Sequence, residues 1–150
     1  MRQVSATAVI PAPADELFGF IAEPTNLPAW QTGIVAAQRT TPDPVGVGSR
    51  ATVVRELMGQ RLSVELVLTG YEPGRRLVLE SGASGIEVVA TLELEPEEAA
   101  GAAAGTRLRF GMTIRAQNVF MTPVEGMVAS AAEQDLANSL ERLRVHFAQG

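Results

Sequence analysis

Two stretches near the middle of the chain alternate hydrophobic and polar residues almost without a break. In GIEVVATLELE, Ile86, Val88, Ala90, Leu92 and Leu94 fall on one face, with Glu87, Thr91, Glu93 and Glu95 on the other. TRLRFGMTIRA repeats the pattern, setting Leu108, Phe110, Met112 and Ile114 against Arg107, Arg109, Thr113 and Arg115. A period of two with one apolar face predicts antiparallel strands, wet on one side and covered on the other. The acidic row and the arginine row then face each other across a hairpin, as solvated pairs that each contribute a few tenths of a kcal/mol. Between the two strands, PEEAAGAAAGT reads as a mobile low-complexity tip.

The same texture extends upstream. QVSATAVI is a first strand at residues 3–10, and residues 34 to 115 read as strands separated by turn signals. IVAAQRT runs into the loop TPDPVGVGS. RATVVRELM and RLSVELVLTGY are split by Gly59-Gln60 in a predicted hairpin. Pro73-Gly74 in YEPGRR suits a type II turn before RLVLES.

Helical spacing occurs in only two places. PAPADELFGFIA carries Pro13 in a first turn, Asp15 and Glu16 at the positive end of the dipole, and Leu17, Phe20 and Ile21 on one face. Pro24 ends it, and residues 24–30 form a second short helix or turn, because Pro28 forbids a longer one. The last element is the longest. Thr122-Pro123-Val124-Glu125 reads as a capping box with Thr122 as N-cap. Leu136, Leu140, Leu143 and Phe147 then mark one face, which Ala129 and Ala132 extend backwards. Large side chains late and small ones early leave room beside the first half of that helix.

Composition narrows the chemistry mainly by what is missing. The 150 residues fit one domain, 1–150, and 46% are apolar. There is no cysteine, so thiolate nucleophiles, thiolate metal sites and disulfides are excluded. All 12 basic residues are arginine, which removes Schiff-base lysines, and His146 is the sole histidine. No metal site and no cofactor are therefore expected. A net charge of −5 with scattered arginines argues against nucleic acid and against an anionic membrane surface. No run of about 18 apolar residues suggests membrane insertion, and the first residues lack a secretory h-region, so a cytoplasmic location is expected. A homodimer is compatible with the sequence.

The order of elements, with VIPAPADELFGFIAEPTNLPAWQTGI near the start, resembles the polyketide cyclase/dehydrase and lipid-transport group of the START/Bet v 1-like (SRPBCC) superfamily. The matching marks are Ile10 and Ala12 ahead of Leu17-Phe18, then Pro24, Pro28 and Trp30. Gly46-Val47-Gly48-Ser49-Arg50, Tyr71-Glu72-Pro73 before Arg76-Leu77, and the long final helix follow. This resemblance implies an α+β helix-grip fold, a curved antiparallel sheet wrapped around the C-terminal helix with a cavity between them. It says less about function, since one scaffold carries cyclases, transporters and co-chaperones.

Trp30 would then close one end of the grip, as a structural plug or as a cavity wall. The predicted inward rows supply Leu66, Val88, Ala90, Phe110 and Met112 as candidate lining. Met58 and Met121 add adaptable surface, and Val128 adds a contact from the final helix. Arg55 and Glu56 lie mid-strand among apolar neighbours, so one of the two should point inward as a polar contact; a surface pair is the other reading. Glu125 projects within about 20° of Leu136 at 100° per residue, so it serves either the cap or the cavity. Tyr71 reads as support for Pro73, and His146 as solvent-facing. No catalytic constellation stands out. The leading expectation is a binder of a small hydrophobic molecule of polyketide, lipid or aromatic type. The rivals are a cyclase or dehydratase using the same cavity, and a co-chaperone or toxin-like interaction module without a ligand.

Overall fold

The computed structural model describes residues 1–42, 44–57, 59–83, 85–97 and 105–148. Met58 and most of the PEEAAGAAAGT tip lie outside them. The strands are β1 (Arg2–Ile10), β2 (Ile34–Arg39), β3 (Arg50–Leu57), β4 (Gln60–Glu72), β5 (Arg76–Ala83), β6 (Ile86–Glu97) and β7 (Gly105–Ala116). Between β1 and β2 come helix α1 (Ala14–Ala22), a 3-10 turn (Pro24–Asn26) and the one-turn helix α2 (Leu27–Trp30). A second 3-10 turn (Val119–Met121) leads into α3 (Thr122–Ala148).

All seven strands form one antiparallel sheet in the order β1-β7-β6-β5-β4-β3-β2. Consecutive strands from β2 to β7 are hairpin neighbours, and only β1 crosses over to pair with the last strand. Turn chemistry fixes these hairpins. Gly74 has φ 77° and the Arg75 amide donates to the Glu72 carbonyl at 2.9 Å, the geometry that Pro73-Gly74 demands. The register places Glu93 opposite Arg109 and Glu95 opposite Arg107, so the acidic and basic rows do meet on the outer face. Arg109 lies 3.6 Å from Glu93 and Arg107 lies 3.1 Å from Glu97.

The inner face is closed by α3. Leu136, Leu140 and Leu143 are almost wholly buried, together with Leu92, Leu108, Phe110 and Ile114 of the sheet. Each such side chain contributes about 1.5–3 kcal/mol by leaving water. Ala129 and Ala132 continue the buried face toward the start of the helix, where the side chains are small. Met127 points outward and is 54% exposed.

Two helix starts differ from the sequence expectation. Pro13 stands one position outside α1 as its N-cap, with φ −61° and ψ 150°. Thr122 is not an N-cap, since its φ −56° and ψ −42° are already helical. The chain enters α3 directly from the preceding 3-10 turn, whose carbonyls accept from the first amides. The side chain that caps this entry is Asn118, which accepts from the Phe120 amide at 3.0 Å. Glu125 is thereby freed from the capping box.

Trp30 is fully buried and packs on Phe110, with ring centroids 5.7 Å apart at 57°. The broken helix pair thus ends in a side chain that joins it to the centre of β7. Tyr71 meets Phe18 edge-on at 5.2 Å, bracing α1 against β4. His146 is exposed yet stacks on Phe20 at 4.5 Å. Trp30→Ala is expected to cost about 3–5 kcal/mol in urea-induced unfolding, because a large cavity replaces the contact with Phe110.

Candidate functional site

Strand alternation and the helical repeat bring a small set of side chains together under the first half of α3. Arg55 of β3, Ser81 of β5, Val88 of β6, and Met112 and Ile114 of β7 face Val128, Ala132 and Asp135 across a narrow cleft of about 50 Å³. A second lobe of about 20 Å³ shares Arg55, Ser81, Val88 and Met112, and adds Gln31, Leu66, Leu79 and Ala90. An apolar cavity that holds benzene has a volume of about 150 Å³, so in this closed form the cleft is tighter than one aromatic ring. Larger hollows of about 430 and 380 Å³ lie on the outer face of β1, β7 and β6. They are open grooves over Gly111, walled by Ser5, Thr91, Glu93 and Arg109, and they hold the solvated charge rows rather than an enclosed apolar chamber.

Polar groups converge on the inner cleft. Gly33, with φ 97°, adopts a left-handed backbone that packs closely against two of these groups. A Cβ there would sit 3.3 Å from Asp135 Oδ2 and 3.5 Å from Arg55 Nη1. Only a glycine lets the backbone pass this close to both charged side chains. The loop carrying it is fastened to α3. Ser139, fully buried, accepts from the Thr32 amide at 2.9 Å and donates to the Asp135 carbonyl at 2.7 Å.

The two charges remain unpaired by direct contact. Among the described residues the side chains of Gln31, Arg55, Ser81 and Asp135 make no hydrogen bond, and Arg55 and Asp135 form no ion pair. Burial pushes the Arg55 guanidinium below its ordinary pKa, and the negative charge of Asp135 opposes that shift. Burial raises the Asp135 carboxyl, with Arg55 holding it down in part. In both cases burial is opposed by the neighbouring opposite charge, and Asp135 is only half-buried.

Of the side chains singled out from the sequence, Arg55, Leu66, Val88, Ala90, Met112 and Val128 meet at this cleft. Trp30 and Phe110 lie in the solid core beside it, outside its lining. Met121 lies over the β5–β6 turn, where a Cβ on Gly85 would come within 2.9 Å of its Cγ. Glu56 faces outward toward Arg61, 3.3 Å away. Met58 lies outside the described residues.

Glu125 is buried, but against the end of the sheet rather than in the cleft. Its Oε2 accepts from the Ala116 amide at 2.7 Å, and its Oε1 lies 2.8 Å from the ammonium of Met1 and 4.0 Å from Arg2 Nε. The bonded ammonium and then the Ala116 amide hold its carboxyl below the ordinary glutamate range. Sequence reasoning missed Asp135, Ser81, Gln31 and Gly33. Val128, Ala132, Asp135 and Ser139 recur at 4, 3, 4 spacing. That stripe lies beside the Leu136 face and was the legible signal for the helix side of the cleft.

The chain belongs to the family described as polyketide cyclase / dehydrase and lipid transport, whose model matches residues 1–148. It is similar to an uncharacterized protein of Mycobacterium tuberculosis, 25% identical over 143 residues that cover 95% of this chain and 96% of that one. The fold matches a START superfamily protein from Mycobacterium smegmatis with a TM-score of 0.78 and 15% identity, over 98% of this chain and 97% of that chain. It also matches the di-domain ARO/CYC BexL from the BE-7585A biosynthetic pathway with a TM-score of 0.74 and 20% identity, over 99% of this chain and 47% of BexL. The architecture is thus the START/Bet v 1-like helix grip. Family and fold together point to hydrophobic-ligand binding or to cyclase/dehydrase chemistry. Among the described residues no helix is long and apolar enough to cross a membrane.

Two outcomes follow from this geometry. Gly33→Ala is expected to lose about 1–2 kcal/mol in urea unfolding, since alanine resists a left-handed backbone and its methyl would crowd Asp135. Glu125, whose folded pKa is lowered, adds stability above its unfolded pKa of about 4.3 that is lost as pH falls through the folded value. In thermal unfolding, the stability gap between the wild type and Glu125→Gln should therefore shrink as pH drops below about 4.

Proposed function

We propose that this protein binds a small, mostly apolar molecule with a polar handle between the sheet and α3. The observation that carries the reading is the set of Gln31, Arg55, Ser81 and Asp135, which reach an apolar cleft with no hydrogen-bond partner among the described residues. A ligand polar group that meets them would form hydrogen bonds worth about 0.5–1.5 kcal/mol each. Leu66, Val88, Ala90, Met112 and Val128 would receive the apolar body.

Binding on this reading includes a widening of the cleft, since its lobes of about 50 and 20 Å³ hold water-sized guests only. The small side chain of Ala132 gives α3 room to shift there, and Met121 and the Gln117–Gly85 backbone hydrogen bond fasten the β5–β6 turn. The whole of residues 1–150 acts as one unit. The net charge of −5 with scattered arginines supports a role without nucleic acid, and the reading keeps a cytoplasmic setting and allows a homodimer.

Two other readings each have an observation behind them. A cyclase or dehydratase is favoured by the family and by the oppositely charged side chains at the cleft, where a proton could be moved. An interaction module is favoured by the tight cleft and by the exposure of Val119 and Phe120, 76% and 87%.

Native mass spectrometry of gently purified protein, followed by titration with a panel of hydrophobic compounds, tests the proposal. A reproducible extra mass, or a mass shift on titration, is expected for the wild type and lost in Ala132→Leu, which fills the cleft. A clean unliganded mass throughout would overturn it in favour of the interaction module.

A further inference from the structure

Gln31 is 5% exposed, and among the described residues its side-chain amide makes no hydrogen bond. Its backbone, by contrast, is held on both sides. The Gln31 backbone N–H donates to the Leu27 carbonyl at 2.8 Å, and the Gln31 carbonyl accepts from the Ile34 amide at 3.2 Å. Trp30 before it is seated on Phe110, and the Thr32 amide after it donates to Ser139 of α3 at 2.9 Å. The fold therefore pins this residue in place while leaving its side-chain amide without a partner. On either side, the Trp30 indole N–H and the Thr32 hydroxyl are sealed in the interior, also unpartnered, whereas the Gln31 amide stays open to the smaller lobe of the cleft. Few polar side chains in native interiors stay unpaired, and here three successive ones do so beside a cleft.

The lobe that Gln31 lines has a volume of about 20 Å³, and about 10–15 Å³ suffices for one water, so it fits a single oxygen atom. Its polar lining is Gln31, Arg55 and Ser81, and Arg55 is its only charged residue. Asp135 lines the larger lobe alone. The loop is tied to the strand that carries Arg55: Ile34 pairs with Arg55, and the Glu56 amide donates to the Gly33 carbonyl at 2.7 Å. Arginine offers donors and no acceptor, while Gln31 and Ser81 add an amide and a hydroxyl donor. Resting on the binding function above, we infer that Gln31 sets ligand specificity, its side-chain N–H donating to a ketone or quinone carbonyl whose oxygen occupies this lobe. A carbonyl oxygen has two lone pairs and no hydrogen, so it takes up donors and requires no acceptor. A hydroxyl would bring one more donor to a lobe already rich in them. A carboxylate has a second oxygen, which this lobe does not hold and which would turn toward the lobe lined by Asp135.

Three probes on one ring system read this out: 1-indanone, 1-indanol and indane, titrated calorimetrically into the intact protein. The wild type is expected to bind 1-indanone at least about fivefold more tightly than indane, with 1-indanol between them. Gln31→Met keeps the length of the side chain and removes the amide. It should narrow the ketone-to-hydrocarbon ratio at least about threefold and leave the affinity for indane unchanged. Its urea midpoint should stay at or above that of the wild type, because the lost amide had no partner in the fold. A ratio undiminished in Gln31→Met, as a purely structural glutamine would give, overturns the role of Gln31. Indane binding as tightly as 1-indanone, or 1-indanol binding more tightly, would overturn the carbonyl assignment while leaving the ligand pocket standing. Binding of none of the three would overturn both. If Gln31→Met fails to fold, as circular dichroism would reveal, Gln31→Leu takes its place and the wild-type order still decides the carbonyl assignment.

Discussion

A seven-stranded sheet has one apolar face to hide, and here a single helix hides most of it. That mismatch in width governs the molecule. The sheet must curl toward α3 to bring β1 and β7 against it, and Leu136, Leu140 and Leu143 fill the space where the curl is tight. Farther up the helix, Val128 and Ala132 are too small to fill the same width, and the cleft is what remains. Core and candidate site are therefore one geometric problem solved differently at the two ends of one helix. The polar groups that reach into the unfilled end come from the remaining elements: Gln31 from the loop after α2, Arg55 from β3, and Ser81 from β5.

Much of this was legible in the sequence because the sheet is amphipathic. Clean alternation from Ile86 to Glu95 and from Arg107 to Arg115 specified the strands, their faces and even the charge rows that meet across the hairpin. Pro73-Gly74 specified a turn with the correct backbone sign. The drift from alanine to leucine along α3 located the looser end. Those signals are local, with a period of two or of 3.6, and the fold obeys them.

The polar half of the cleft was harder to see, for a physical reason. Arg55 and Asp135 are 80 positions apart and owe their proximity to sheet curvature, which no local period encodes. On β3 both faces carry charged and apolar residues, so alternation did not decide between Arg55 and Glu56. Glu125 misled in the opposite way. Its place three residues after a threonine matches a capping box, but the 3-10 turn before the helix already supplies acceptors for the first amides. The carboxylate then becomes available to clasp Ala116 and the start of β1.

The burial of Trp30 against Phe110 has a practical side. With no other tryptophan in the chain, the ultraviolet emission of the whole protein comes essentially from one indole at the seam between α2 and β7. That indole lies directly before Gln31, which borders the cleft. Its spectrum is thus an optical gauge of how firmly that end of the grip is shut, separable from the backbone signal of the sheet. The molecule carries its own label at the place where motion would accompany ligand uptake.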